Sequence, residues 1–260
     1  MSRVSWLKAV ALVAALASLT INFGLIDLID GFTGYVDQER NQILDLGWGA
    51  VFGLILPLGL LAQLRFPERR IAGVQQTSVV AVALALAGAA GESWWYLVLA
   101  AGVAGVSAVL LTLHPARQTL RVWAKPDPTM LALAAIAAGP ALVYAWRMAS
   151  AQRRDLPPAD AVSNGLHHWT VMAALALAVL LLVLLAALRT SGWRIPAISG
   201  SLAAGAWAIS CLLAPATAAG SEGHAWAWTV LAWAVVTLGT AVWPRTRERP
   251  LTADVLAPPA

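Results

Sequence analysis

The chain has 260 residues, of which 60% are hydrophobic and only 12% charged, with a formal net charge of +4. Soluble globular domains carry about 25% charged residues, so this composition excludes that class and indicates a polytopic membrane protein. The basic balance reads as membrane orientation and excludes nucleic acid as a partner. A single cysteine, Cys211, excludes an intramolecular disulfide and a cysteine-ligated cluster.

Apolar runs of about 20 residues, the length that crosses a hydrocarbon core, predict eight helices. The first, 6–28, follows Arg3 and Lys8 and carries Ala15-Leu16-Ala17, a pattern shared with cleaved signal peptides. Its apolar run continues to Ile29, too long for a signal core alone, so a retained helix is expected. The second, 44–64, contains Trp48 and Pro57. The third and fourth, 72–90 and 93–113, meet at Gly91-Glu92-Ser93. A basic segment with Arg117, Arg121 and Lys125 leads to the fifth, 129–147, which contains Gly139-Pro140. The last three are 167–188, 195–214 and 225–243. Helices suit these runs because each satisfies its own backbone hydrogen bonds in lipid.

With the N-terminus placed in the cytoplasm, thirteen of the seventeen Lys and Arg residues fall on the inner side. That matches the positive-inside rule and predicts a multi-pass cell-membrane protein with both termini cytoplasmic.

One pattern occurs twice. Trp48 opens an apolar run ending Leu61-Ala62-Gln63-Leu64-Arg65, and Trp169 opens one ending Leu185-Ala186-Ala187-Leu188-Arg189. Each continues through a basic loop, a second apolar run, a Trp-bearing turn and a third run. The expected fold class is an all-α integral membrane protein, its eight transmembrane helices forming two tandem four-helix units. A pseudo-twofold axis along the membrane normal would relate them. Residues 1–114 form the first repeat, 115–128 a cytoplasmic basic linker and 129–243 the second repeat. The polar segment 244–260 reads as a disordered cytoplasmic tail.

Most of the thirteen Trp residues sit at predicted helix ends, including Trp6, Trp94, Trp95, Trp146, Trp169, Trp193 and Trp243. An aromatic belt accounts for them. Pro57 and Pro140 predict kinks. Ala101 with Gly105, and Ser201 with Gly205, predict close helix contacts.

Polar residues gather on the expected outer side: Asp27, Asp30, Asp37, Glu39, Asp45, Glu92, Arg147, Asp155, Asp160, His167, His168, Glu222 and His224. A ligand-binding site is therefore expected there, built from Asp27, Asp45, Glu92, Arg147 and Glu222 with Trp95 and Trp169. Asp27 and Arg147 hold nearly equivalent repeat positions with opposite charge, which predicts that they approach across the bundle centre. His168 and His224 begin the sixth and eighth predicted helices. Their rings would converge on the second-half bundle axis as haem ligands, or bind a divalent metal with Glu222 and Glu92.

Two four-helix units with His168 and His224 on helices six and eight resemble haem A synthase. That resemblance implies haem ligation by these two histidines. It departs from the family at helix two, which carries no His or Glu-x-x-His, and at His114, which lies at the inner end. The outer cysteine pair of many members is absent.

Lys8 and Lys125 are the only lysines, which excludes a retinal Schiff base on the last helices. No nucleophile elbow or phosphate loop is present. Three readings stay open: binding or transport of a small apolar or cationic molecule, a haem- or metal-bearing membrane enzyme or electron-transfer protein, and an accessory subunit without chemistry. The lipid bilayer is the expected partner in each, with a membrane-protein partner or a second copy as further options. Few polar residues lie mid-helix in runs three, four, six and seven, which argues against a continuous hydrophilic pathway.

Overall fold

The computed structural model describes residues 2–20, 24–33, 41–117, 126–154 and 167–243. Asp37, Glu39, Arg121, Lys125, Asp155, Asp160 and the 244–260 tail lie outside these residues. The helices are α1 (Arg3–Thr20), α2 (Gly24–Thr33), α3 (Gln42–Leu64), α4 (Ile71–Ala90), α5 (Trp94–Leu113), α6 (Pro128–Arg153), α7 (His168–Ala187), α8 (Arg194–Leu213) and α9 (His224–Val242). No strand occurs among the described residues. All but α2 are long and apolar enough to cross a membrane. The protein is an all-α, multi-pass membrane protein.

Helices α3, α4, α7 and α8 form the centre. There α4 packs on α7 and α3 on α8. Around them, α1 and α2 cover α3, α5 covers α4, α6 covers α7, and α9 covers α8. The surrounding helices turn Val13, Ile136, Val143 and Val235 outward, as lipid contact requires. His168 and Arg189 mark the two opposite ends of the bundle, at the start of α7 and just past its last residue.

The predicted first helix is described on either side of 21–23, as α1 and α2, and its second part, α2, extends to Thr33. Its course is set by glycine. A Cβ on Gly24 would fall 2.5 Å from the Phe52 carbonyl carbon, and one on Gly49 would fall 2.2 Å from Leu28 N. A Cβ on Gly53 would lie 2.1 Å from Gly24 O. Only hydrogen at these positions lets the α2 and α3 backbones touch, the small-residue logic of membrane helix pairs. The expected Ala101–Gly105 contact does not form: Gly105 has open space where a Cβ would project. Ser201 is buried, whereas Gly205 meets only Ala234 Cβ, at 3.9 Å. Small residues permit close approach but do not require it.

Pro57 lies in α3, just after a π-helical stretch, Gly49–Ile55. Proline offers no N–H and its ring crowds the carbonyl four residues back; widening the preceding turns relieves that clash. Displaced carbonyls then need other donors. Ser18 Oγ donates to Phe52 O at 2.5 Å, and Gln76 Nε2 donates to Ile55 O at 2.5 Å. Gln76 Nε2 also reaches Ser199 Oγ at 3.0 Å, joining α3, α4 and α8. This buried polar knot is absent from the sequence-based expectation, which read these helix middles as nearly apolar.

The aromatic belt reading divides. Trp6, Trp94, Trp146, Trp228 and Trp243 are well exposed, whereas Trp48, Trp169 and Trp193 are buried. Trp193 lies under the Arg189 guanidinium, 3.9 Å from ring centroid to Cζ. A helix-end Trp turns into the core when a neighbouring helix covers its face, as α7 and α8 demonstrate.

Candidate functional site

Two polar clusters stand at the His168 end. The first joins α3 to α7. His168 Nδ1 lies 3.1 Å from Asp45 Oδ1, and both residues are buried, at 6% and 8% exposure. A carboxylate only accepts, so the proton of this contact sits on Nδ1. The other ring nitrogen, Nε2, is buried with no hydrogen-bond partner. So are Thr170 Oγ1, Gln152 Oε1 and Asn41 Oδ1, all near this end. Buried polar atoms are normally satisfied, so this group of unpartnered polar atoms sets the end of the bundle apart.

Aromatic rings wall this cluster. Trp48 stands 6.0 Å from the His168 ring and 6.1 Å from Tyr96, with Phe52 at 4.7 Å (centroid distances). The carboxylates of Asp27 and Asp30, on α2, are close enough to Asp45 to act on it electrostatically, and Asp27 acts likewise on Tyr96. The glycine seam between α2 and α3 brings Asp27 here. A Cβ on Gly47 would fall 2.2 Å from Met172 Sδ, so α3 and α7 meet closely one turn from the Asp45–His168 pair.

The second cluster joins α6 to the α8–α9 loop. Arg147 forms an ion pair with Glu222. Below it, Tyr144 donates to Gly220 O at 2.7 Å and accepts from Trp207 Nε1 at 3.2 Å.

These contacts revise several expected pairings. Arg147 takes Glu222 as its partner, while Asp27 lies among acids, on α2 against α3. His168 and His224 have separate surroundings: His224 is exposed, with Nε2 3.2 Å from Ala214 O. Glu92 is exposed in the α4–α5 turn, at a φ of 56°. Trp95 is partly exposed and stacks edge-on with Trp94. Among the described residues no three His, Cys, Asp or Glu side chains form a metal-holding group, so His168, His224, Glu92 and Glu222 are not assembled as one. Trp169 is buried in the core beside the first cluster's His168.

No protein-family model matches the chain, and neither does any curated protein or solved structure.

Proposed function

We propose that the protein binds, and carries across the membrane, a small organic cation at the Asp27–Asp45–His168 cluster. The carrying observation is the buried Asp45–His168 pair, whose second ring nitrogen, Nε2, has no hydrogen-bond partner. Carboxylates, a bare imidazole nitrogen and the faces of Trp48 and Tyr96 are what a protonated amine uses: charge pairing, hydrogen bonding and cation–π attraction. Ionisable groups held inside a membrane bundle are costly and functional by default.

The reading includes a duplicated architecture. The pairing of α4 with α7 mirrors that of α3 with α8, and α5 and α9 cover equivalent partners. Two four-helix halves, 1–114 and 129–243, account for this. The cation site then lies where the halves meet. The charge asymmetry supports the His168 end as extracytoplasmic, with both termini in the cytoplasm of a cell-membrane protein.

The test uses proteoliposomes and a fluorescent monovalent cation, ethidium. Wild-type protein should accelerate uptake. Asp45→Asn and His168→Gln should each abolish that acceleration, and Glu92→Gln should leave it intact. Equal uptake by wild type and Asp45→Asn sinks the proposal.

One observation favours a second reading. Metal-bound histidines commonly donate their other N–H to a carboxylate, as His168 does to Asp45. An absorption spectrum and elemental analysis of purified protein separate the two. A Soret band or bound metal that disappears in His168→Gln would select the cofactor reading.

A further inference from the structure

An apolar groove of about 140 Å³ opens sideways between α6 and α9, floored by α7 and α8. Pro140, Tyr144, Val179, Trp207, Trp226 and Trp233 line it. The groove exists because α6 and α9 lie mainly against the central helices and touch each other little. Its lining is carbon, because the polar atoms nearby are already engaged. Trp207 donates to Tyr144, Tyr144 donates to Gly220 O, and Trp233 Nε1 donates to Leu133 O at 3.0 Å. Apolar cavities of about 150 Å³ stay dry and accept hydrocarbon. From Ile136 to Tyr144 the α6 wall is about 12 Å long at 1.5 Å per residue. A hydrocarbon chain fits that shape, and water does not.

A charged pair stands just beyond the Tyr144 end of the groove, outside its lining. Arg147 follows Tyr144 by three residues, on the same face of α6. Its side chain is 58% exposed and its Nη1 binds Glu222. The other Glu222 oxygen, Oε1, is buried and has no partner. A carboxylate with one unpartnered oxygen thus lies beside an exposed guanidinium, one helical turn beyond Tyr144 of the apolar slot.

We propose that this groove and the Arg147–Glu222 pair form a binding site for a bilayer phospholipid with a phosphoethanolamine head. The ammonium donates to the Glu222 carboxylate, which is partly exposed. The phosphate takes the remaining N–H groups of Arg147, and one acyl chain lies in the groove. A zwitterionic head matches a site whose own charges sum to zero. An anionic head brings no donor to the Glu222 carboxylate and places a second acid beside it. The site is separate from the Asp27–Asp45–His168 cluster and does not depend on the cation reading.

The experiment is native mass spectrometry of delipidated protein given equal amounts of phosphatidylethanolamine, phosphatidylglycerol and phosphatidylcholine. Phosphatidylethanolamine adducts should dominate. Glu222→Gln and Arg147→Gln should each weaken retention about tenfold, the worth of one charge-assisted hydrogen bond. Ala176→Phe, which fills the groove from α7 without touching the charged pair, should also displace the lipid. Asp45→Asn should retain it like wild type. Equal retention of the three lipids by wild type overturns the proposal, and that comparison needs no variant to fold. Undiminished phosphatidylethanolamine binding by Ala176→Phe also overturns it.

Discussion

Ser18 of α1 donates its hydroxyl proton to the main-chain carbonyl of Phe52, 2.5 Å away across the helix interface. The bond is buried and replaces one that the π-helical stretch of α3 cannot form internally. Removing the hydroxyl strands a buried acceptor. Hydrogen bonds between membrane helices average about 0.6 kcal/mol, and an orphaned acceptor costs about 1–3 kcal/mol. Ser18→Ala should therefore destabilise by about 1–2 kcal/mol, and Ser18→Thr by less. Thermal unfolding in detergent should show a fall of a few degrees for Ser18→Ala. An unchanged melting temperature would mean that water or another donor satisfies Phe52.

Glycine substitutions should separate by location. A Cβ at Gly49 or Gly53 meets backbone atoms of α2 at 2.2 and 2.1 Å, and backbone cannot step aside as a flexible side chain does. Overpacking of this kind costs about 1–3 kcal/mol. Gly49→Ala and Gly53→Ala should lower stability by that much. Because α2 carries Asp27, they should also weaken the cation binding proposed for that cluster. Gly105→Ala has open space and gains about 0.5–1 kcal/mol from helix propensity. Opposite signs in a melting series would verify the seam; equal effects would contradict it.

The eight spans were legible because length and apolarity determine what can cross lipid. The predicted 44–64 and 195–214 differ from Gln42–Leu64 and Arg194–Leu213 by no more than two residues at either end. Runs interrupted by charge were harder: α6 continues to Arg153 past Arg147, since a guanidinium at a helix surface does not end the helix. Asp45 and His168 were both visible as polar residues at one end, but not as a pair. Pairing depends on how each helix is rotated about its axis. Helices α3 and α7 are apolar on nearly every side, so their sequences carry little periodic signal of rotation. The same blindness favoured Ala101–Gly105 over Gly49–Gly53, because equivalent spacings face lipid in one case and protein in the other.

At the Arg189 end, Asp127 performs two tasks. Oδ1 caps α6 by accepting from Thr129 N at 2.9 Å and Met130 N at 3.0 Å. Oδ2 pairs with the Arg189 guanidinium, whose Nε lies 2.9 Å away. Asp127 is buried, so its loss leaves a poorly solvated arginine; breaking such pairs costs about 3–5 kcal/mol. Asp127→Ala should be the most destabilising single change predicted here. Asp127→Asn keeps cap acceptance and should cost less. Arg189→Lys should be intermediate, since lysine lacks the fork and the flat stack on Trp193. Denaturant titrations of the three variants give the order. A mild Asp127→Ala phenotype would show that the pair is screened by solvent.

His114, which follows the last residue of α5, supplies a pH dependence. Burial pushes its imidazole below the ordinary value of 6.5; the Pro67 carbonyl and the Glu68 carboxylate oppose that shift without cancelling it. Its Nδ1 accepts from Ala116 N at 3.1 Å, a bond only the unprotonated nitrogen can accept. The folded protein therefore holds this group neutral at a pH where the unfolded chain already binds a proton. Linkage then sets the sign: stability is unaffected by His114 well above pH 6.5 and falls as pH drops through 6.5 towards the lowered folded value. Below that value the loss is complete and constant. His114→Asn keeps a side-chain acceptor but does not titrate. Melting temperatures of wild type and His114→Asn measured from pH 8 to pH 5 should run parallel at the alkaline end. They should diverge on acidification, with wild type losing more. Parallel curves over the whole range would show that His114 protonates in the fold as readily as in the unfolded chain.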